Sequence, residues 1–231
     1  MSANSDQTLL RQMASYSRES QGQVISALHL YRALPRYESS IVGMQVPDLG
    51  WETLCVAIRM NLDVHSLCAA LWSPLLVRAR VSLVEIHESL GEDVAFLCRA
   101  FAELPEFRFV DQQSAKRGFY VVKEQADGFR KMLLAMAKDM RVVLLRFCER
   151  VVLLRHMEFV EVVQQRNLAK ECRELYAPLA NRLGISWLKN EFEDLSLRYL
   201  FPADFYPIVR ELKATQKERE LWVEEVKGEL N

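Results

Sequence analysis

His87 lies among carboxylates, and this is the first place where the sequence suggests chemistry. Within two helical turns, the segment "VEIHESLGED" places Glu85, Glu88 and Asp93 around this histidine. Imidazole and carboxylate groups together bind divalent metal ions, so the mixture is a candidate metal site. The same residues also form an ordinary solvated acidic face of a helix, and we favour that interpretation.

Glu149 is the more informative acidic residue, because it interrupts the apolar sequence "LLRFCERVVLL". A carboxylate in a buried helix must be ion-paired or must coordinate a ligand, since desolvating an isolated charge is very costly. We interpret Glu149 as the partner of Arg146, Arg150 or another arginine. His65, near a predicted helix start, and His156, at a predicted helix end where its partial positive charge complements the helix dipole, both have structural interpretations.

The composition excludes several classes of protein. Lys and Arg total 30 against 31 Asp and Glu, and this net charge of -1 offers no general attraction to nucleic acid or anionic lipid. Glycine-rich nucleotide loops and the HExxH and GxSxG motifs are absent from the sequence. The five cysteines form no CxxC pair and indicate reduced thiols, and charged residues interrupt every apolar run well before ~18 residues. We therefore predict a soluble, cytoplasmic protein that binds neither membrane nor DNA.

Helical periodicity dominates the sequence and predicts an all-α fold. The stretch from Met140 to Met157, "MRVVLLRFCERVVLLRHM", is apolar on nearly every side, which is typical of the central helix of a bundle. Its two "RVVLL" runs are compatible with strands, but no turn residue separates them, so we favour a helix. Three further segments are amphipathic at spacings of three and four residues: 122–136, 188–199 and 205–212.

Prolines and glycines fall between the periodic segments and predict short connections, for example at Gly91 and Gly184. In "AALWSPLLVRA", residues 69–79, the buried helix runs into Ser73-Pro74, and we expect it to end there. Residues 105–118 are long and polar enough to form an extended loop between two lobes or over a groove.

The chain is expected to contain one helical domain, with a flexible segment before it and a charged helix after it. The polar, Ser-rich residues 1–20 are predicted to be flexible, and residues 21–213 to form the domain. Residues 214–231 form a charged helix in this prediction. Trp222 and Val226 give that helix a thin apolar stripe, which indicates either contact with a partner or closure of the bundle.

Two blocks of the sequence resemble a known family. "FRKMLLAMAKDMRVVLLRFCERVVLLR" at 129–155 and "AKECRELYAPLANRLGISWLKNEFEDLSLRYLFP" at 169–202 are similar to the N-terminal hydrolase domain of long RelA/SpoT homologues, which make and degrade (p)ppGpp. The similarity extends more weakly back to about residue 45. It implies an all-helical HD domain, in which a Mn ion held by histidines and aspartates activates water for attack on the 3′-pyrophosphate of the alarmone.

The resemblance also assigns positions to the metal ligands of the family, and most of them hold the wrong residue type. The His-Asp pair falls on Ser73 and Pro74, the first His near Leu49 and the distant Asp on Glu149. One carboxylate and one weak hydroxyl cannot hold a divalent ion against water, so we predict no metal and no other cofactor. The Glu-Asp pair and the substrate-binding Asn of the family correspond to residues that cannot replace them: Val77, Arg78 and Leu153.

This pattern resembles the RelA branch, in which the HD domain is a pseudo-hydrolase and the following domain synthesises (p)ppGpp. We therefore expect this chain to be no enzyme itself and to form the N-terminal part of a longer GTP pyrophosphokinase of the stringent response. The resemblance implies two partners. The first is the synthetase domain of the same polypeptide, with Trp222 and Val226 at the contact, and the second is the ribosome, through the parent enzyme.

Two other functions stay open at this point. In the first, Glu149 and a displaced side chain such as His65 rebuild a metal site in a residual pyrophosphohydrolase. In the second, the old groove binds guanine nucleotides without turnover and acts as a sensor. Four arginines are the nearest candidates for nucleotide or interdomain contacts, unless they pair with the acidic residues of 190–194: Arg141, Arg146, Arg150 and Arg155.

Overall fold

The backbone is almost entirely helical, which confirms the predicted all-α class. A computed structural model describes residues 3–34, 40–41, 44–77, 81–104, 139–212 and 215 of the 231-residue chain. Within these residues, extended structure is limited to two short antiparallel strands, β1 (Ser40–Ile41) and β2 (Met44–Gln45). The register pairs Ser40 with Gln45 and Ile41 with Met44.

The described helices fall into two groups along the chain. Those before residue 105 are α1 (Ala3–Gln12), α2 (Arg18–Ala33), α3 (Val46–Arg59), α4 (Val64–Val77), α5 (Leu83–Leu90) and α6 (Glu92–Glu103). Those after residue 138 are α7 (Met140–Arg155), α8 (Val162–Glu171), a π-helical turn (Cys172–Tyr176), α9 (Ala177–Arg182) and α10 (Ser186–Leu200). A 3₁₀ turn (Met157–Phe159) separates α7 from α8, and residues 202–212 form α11.

Local sequence signals fix the ends of several helices. Ser82 and Glu85 form a capping box at the start of α5, in which each side chain accepts a hydrogen bond from the backbone N–H of the other. Gly91 separates α5 from α6 with a φ of +89°, and Gly184 follows α9 with a φ of +75°. Glycine adopts this left-handed region without a side-chain clash, so both predicted connections are confirmed.

α7 is the central helix of the bundle, as its apolar sequence predicted. It packs against α3, α4, α6 and α10, and most of its side chains are buried. The Phe147 ring meets Tyr176 and Phe192 edge to face, with centroid distances of 5.9 and 6.1 Å. Burying a large apolar side chain stabilises the folded state by roughly 1.5–3 kcal/mol, so the many buried side chains of α7 contribute strongly to the stability of the fold.

The two predicted amphipathic segments in the described C-terminal part are both helical. α10 buries its apolar face through Leu188, Phe192 and Tyr199. α11 differs, because Ile208 and Leu212 are 47% and 63% exposed. The described part of the chain therefore leaves about half or more of each side chain exposed.

The prediction of a flexible segment over residues 1–20 is wrong for the described part of that range. α1 begins at Ala3, and Leu9 and Met13 are fully buried. Ser17 then caps α2, because its hydroxyl accepts a hydrogen bond from the Ser20 N–H at 3.1 Å. Leu9 and Met13 lie four residues apart, so a single helical face holds this polar segment on the core.

The predicted helix end at Ser73-Pro74 is also wrong, because α4 continues through Pro74 to Val77. Proline has no N–H to donate to the carbonyl of Ala70, and this loss usually disfavours a helix interior. α4 is buried along most of its length between α3 and α6. Tertiary packing therefore outweighs the missing hydrogen bond.

Several predicted features lie outside the described residues: the loop 105–118, the helix 122–136, Arg78, Trp222 and Val226. Among the described helices, none combines the length and the apolar character needed to cross a bilayer.

Candidate functional site

The four positions that the resemblance assigns to metal ligands lie on helices that pack together. Leu49 is on α3, Ser73 and Pro74 are on α4, and Glu149 is on α7, and all four are buried. α6 touches two sides of this region, because its Cys98 contacts Ser73 and its Phe101 contacts Arg146 beside Glu149. The structure therefore places the four positions, all of them buried, on three helices that pack against one another.

The Ser73 hydroxyl is occupied within its own helix. Its Oγ donates to the Ala69 carbonyl at 2.7 Å and lies 3.5 Å from the Cys98 Sγ. Burial raises the pKa of Cys98 to about 12, although the hydrogen bond with Ser73 acts in the opposite direction. Cys98 is therefore a neutral thiol at physiological pH, and thiols bind metals only once they are deprotonated.

Glu149 forms an ion pair with Arg146, as its sequence context predicted. The Arg146 Nη1 donates to the Glu149 Oε2 at 2.8 Å, and both side chains are 3% exposed. The second guanidinium nitrogen donates to the Phe101 carbonyl at 2.9 Å, and the guanidinium carbon lies 4.1 Å from the centre of the Phe101 ring. A buried carboxylate at this position thus has a charged partner that is itself hydrogen-bonded and stacked.

His65 and His87 lie apart from this region. His65 is in the first turn of α4, is 44% exposed, and has Asp63 and Asp93 each 3.9 Å from its ring nitrogens. His87 is exposed on α5, which agrees with the solvated acidic face. Over the described ranges, no group of three or more His, Cys, Asp or Glu side chains is arranged to hold a metal ion.

The four arginines singled out from the sequence are all paired with carboxylates. The Arg155 Nε donates to Glu191 of α10 at 2.6 Å, so this residue pairs with the acidic set of 190–194 as one alternative stated. The other three have different partners: Arg146 pairs with Glu149, Arg150 with Glu171, and Arg141 with Asp139 and Asp63.

A second buried charge cluster escaped the sequence analysis. Glu171, at the end of α8, is 5% exposed and lies 3.4 Å from the Nε of Arg150. Burial raises the pKa of Glu171, although the charge of Arg150 and a hydrogen bond from Tyr176 oppose the shift. The sequence does contain a signal for this cluster: the acidic residue Glu171 stands between Leu168 and Cys172, and both of these occupy core positions.

The comparison with family models is decisive for the class of the fold. A model described as "HD domain" matches residues 27–186, which is more than half of the chain. The chain belongs to the HD domain family.

Three relatives of this HD domain confirm the resemblance to RelA/SpoT enzymes. The "GTP pyrophosphokinase" of Myxococcus xanthus is 36% identical over 167 residues, which are 72% of this chain and 21% of the relative. The "GTP pyrophosphokinase" of Escherichia coli (strain K12) is 37% identical over 181 residues, 78% of this chain and 24% of the relative. The "Bifunctional (p)ppGpp synthase/hydrolase SpoT" of the same strain is 30% identical over 176 residues, 76% of this chain and 24% of the relative. The chain thus spans less than a quarter of the length of these relatives.

At the four positions that the resemblance assigns to metal ligands, the side chains do not fit the metal that the family implies. Leu49 and Pro74 carry no donor atom, the Ser73 hydroxyl donates within α4, and Glu149 faces a guanidinium. A divalent ion beside Glu149 would also meet the positive charge of Arg146 at close range.

Two of the remaining positions, Val77 and Leu153, are described by the structure and are apolar. Leu153 is buried on α7, and Val77 is 39% exposed at the end of α4. Neither side chain can hydrogen-bond a substrate or transfer a proton.

Proposed function

We propose that this chain is the non-hydrolysing HD domain of a cytoplasmic, RelA-type (p)ppGpp synthetase, in which it acts through contacts rather than chemistry. One observation carries the proposal: the Glu149 carboxylate is already neutralised by the buried Arg146 guanidinium. Leu49, Ser73 and Pro74 are the other former ligand positions in this account. None of the three supplies an imidazole or a carboxylate.

The proposal follows from what metal-dependent hydrolysis requires. A bound divalent ion lowers the pKa of its water ligand, and the resulting hydroxide is the nucleophile. Stable sites for such an ion need several oxygen or nitrogen ligands held in a fixed geometry. A single carboxylate with a guanidinium beside it cannot provide them, so no activated hydroxide is expected in this domain.

The regulatory part of the proposal concerns the parent enzyme. Two of the relatives are named GTP pyrophosphokinases, and the chain spans less than a quarter of each. A domain without chemistry changes the activity of its neighbour if it contacts the active and inactive forms with different free energies. α11 leaves Ile208 and Leu212 exposed, and Trp222 and Val226, which come later in the sequence, are the proposed contacts with the synthetase domain. The ribosome is a proposed partner through the same parent enzyme.

The hydrolytic part is tested by incubating the chain with ppGpp and Mn²⁺ and measuring released pyrophosphate. The homologous region of the SpoT relative is the positive control. We expect no release above the protein-free background. Mn-dependent release would refute the proposal, and saturable ppGpp binding without release would instead identify a nucleotide sensor.

The regulatory part is tested separately in the parent enzyme. Trp222→Ala with Val226→Ala is expected to change the rate of (p)ppGpp synthesis, because it weakens the proposed interdomain contact. Glu224→Ala is the control for a general loss of helix stability, because a residue two positions from both Trp222 and Val226 lies on the opposite face of the predicted helix. Unchanged synthesis rates in the double variant would contradict the contact.

A further inference from the structure

A groove of about 330 Å³ lies between α5 and α6. α6 lines it with Glu92, Phe96 and Arg99, which follow one another at helical spacings of four and three residues. α5 lines the other side with Val84 and Glu88, which are four residues apart. One face of each helix therefore forms one wall of the groove.

α5 and α6 bury their other faces in the core. Ile86 of α5 and Leu97 of α6 have no exposed surface, whereas Val84 in the groove is 64% exposed. No other large apolar side chain of the described residues has a greater exposed fraction. Two antiparallel or crossing helices with an open apolar groove between them form a surface on which a third helix can pack.

We propose that the groove between α5 and α6 binds an amphipathic helix of a separate protein, in which lysine or arginine residues flank an apolar stripe.

The apolar part of the groove provides the contact for the stripe. Phe96 is half-buried beside the exposed Val84, so both side chains have apolar surface to lose to a partner. A helix that binds in such a groove inserts apolar residues at spacings of three and four. Covering the exposed surface of Val84 alone is expected to contribute on the order of 1 kcal/mol.

The charge of this hairpin selects a basic partner. Residues 82–104 contain a single arginine, Arg99, and no lysine, against five carboxylates: Glu85, Glu88, Glu92, Asp93 and Glu103. This segment therefore has a net charge of −4 in a chain whose total is −1. A second copy of the chain would bring the same negative charge to the groove, and nucleic acid or anionic lipid would also be repelled.

The positions of the charges along the groove set the direction of the bound helix. Glu88 and Glu92 lie on either side of the Gly91 connection, and neither forms an ion pair within the described ranges of the chain. Arg99 is about two turns further along α6. A helix with its basic N-terminal end at Gly91 and its C-terminal end at Arg99 matches both charges, because its dipole is positive at the first end and negative at the second.

The interdomain contact proposed above uses Trp222 and Val226, which are not part of this groove. We therefore assign the groove to a separate protein rather than to the synthetase domain.

The experiment titrates the 231-residue chain into a fluorescently labelled Leu–Lys peptide and follows the fluorescence anisotropy at ~0.15 M salt. The peptide is an amphipathic helix of about 14 residues, near the shortest length at which isolated helices form. A Leu–Glu peptide with the same apolar stripe is the control for charge. We expect saturable binding of the Leu–Lys peptide and an affinity at least about tenfold weaker for the Leu–Glu peptide.

Variants of the groove separate its two contributions. Glu88→Gln with Glu92→Gln is expected to weaken binding of the Leu–Lys peptide about tenfold, because two exposed ion pairs are lost. Val84→Ser is expected to weaken it about fivefold by removing apolar contact. Glu161→Gln with Asp194→Asn is the matched control, since it removes two exposed carboxylates outside the hairpin and should leave the affinity unchanged.

Three results would overturn the proposal: no saturable binding by the unmodified chain, equal losses in the two carboxylate double variants, or an unchanged affinity in folded Val84→Ser. Circular dichroism verifies that each variant is folded. If Val84→Ser unfolds the chain, Val84→Thr, which keeps the shape of the side chain, replaces it in the same test.

Two further measurements distinguish other occupants of the groove. Sedimentation that shows dimers of the chain, lost in Val84→Ser, would overturn the proposal in favour of a second copy. Peptide binding by the chain but not by the parent enzyme would show that another domain of the parent fills the groove, and would rule out the separate partner. None of these outcomes depends on whether the domain hydrolyses ppGpp.

Discussion

Two arginine–glutamate pairs, each with its arginine on the central helix α7, differ in how completely their polar atoms are hydrogen-bonded. Arg146 and Glu149 are 2.8 Å apart, and Arg146 also donates to the Phe101 carbonyl. Arg150 lies 3.4 Å from Glu171, and the two facing atoms, Arg150 Nε and Glu171 Oε1, make no hydrogen bond within the described part of the chain. The first pair is hydrogen-bonded, whereas the second is an ion pair at a longer distance without a hydrogen bond between the facing atoms.

The two pairs therefore differ in their structural role. Arg146 and Glu149 are three residues apart on one helix, and they neutralise a carboxylate that the resemblance assigns to a metal. Arg150 and Glu171 connect α7 to the junction of α8 with the π-helical turn. In our proposal the local pair stands where relatives would hold a metal ligand, whereas the long-range pair connects two parts of the bundle.

Glu149→Gln should destabilise the domain more than any other substitution considered. It leaves the buried Arg146 guanidinium without its carboxylate partner, and removing one partner of a buried ion pair typically lowers stability by about 3–5 kcal/mol. Urea unfolding at neutral pH, followed by circular dichroism, measures the change in the free energy of unfolding. A cost below about 1 kcal/mol would show that the pair is not desolvated as the structure indicates.

The matched control on the surface is Glu193→Gln. Glu193 pairs with Lys189 at 2.7 Å, but its side chain is 46% exposed. Exposed ion pairs contribute little to stability, so we expect Glu193→Gln to change the free energy of unfolding by no more than about 0.5 kcal/mol. Replacing both buried partners, by Arg146→Met with Glu149→Leu, should recover most of the stability that Glu149→Gln loses, because no charge is then left unpaired.

Glu171→Gln is expected to cost less than Glu149→Gln, about 1–3 kcal/mol. The amide keeps an acceptor for Tyr176, and the ionic contact that it removes is the longer of the two. The same urea unfolding experiment compares both variants. If Glu171→Gln were the more costly substitution, the ranking of the two pairs by geometry would be wrong.

Asp63→Ala should lower the free energy of unfolding by about 1 kcal/mol, which is less than the cost of Glu171→Gln and is the usual cost of losing a helix N-terminal cap. Asp63 precedes α4 and accepts hydrogen bonds from the Ser66 hydroxyl at 2.6 Å and from the His65 N–H at 3.1 Å. Thermal unfolding measures the loss. Asp63→Asn, which keeps a capping oxygen, should lose less, and equal losses would argue against the capping role.

The pH dependence of the Glu171 and Asp63 substitutions should have opposite signs. Burial raises the pKa of Glu171 above its ordinary 4.5, so its contribution to stability is present below pH 4.5 and is lost as the pH rises through the raised value. Burial also acts to raise the pKa of Asp63, but hydrogen bonds from Ser66 and the charge of Arg141 bring it below the ordinary 3.8. Its contribution is therefore present above pH 3.8 and is lost as the pH falls through the lowered value.

Unfolding free energies measured as a function of pH test these signs. The penalty of Glu171→Gln should shrink as the pH rises above 4.5, and that of Asp63→Asn should shrink as the pH falls below 3.8. Parallel pH profiles for the two variants would contradict the assigned causes of the shifts.

The sequence predicted the central helix and the Glu149 ion pair because both depend on local pattern. An apolar 16-residue helix must be buried, and a carboxylate within it needs a nearby cation. The Arg150–Glu171 pair was not predicted, because it joins residues whose proximity is set by helix packing. Local spacing holds no information about such a contact.

The two wrong boundaries have a common physical origin. Leu9 in α1 and Met13, directly after α1, are both fully buried and anchor a segment whose composition is otherwise polar. In α4, packing on both sides keeps Pro74 inside the helix. Local propensity favoured disorder in the first case and a helix end in the second, and burial against neighbouring helices outweighed it in both.

Mn²⁺ binding, followed by electron paramagnetic resonance, measures whether the positions that the resemblance assigns to metal ligands can hold a divalent ion. The signal of free Mn²⁺ is measured as the chain is titrated in, with the homologous region of the SpoT relative as a positive control. We expect the signal of free Mn²⁺ to stay unchanged when this chain is added and to fall only when the control is added. Stoichiometric loss of the signal with this chain, abolished by Ser73→Ala in a folded variant, would contradict it.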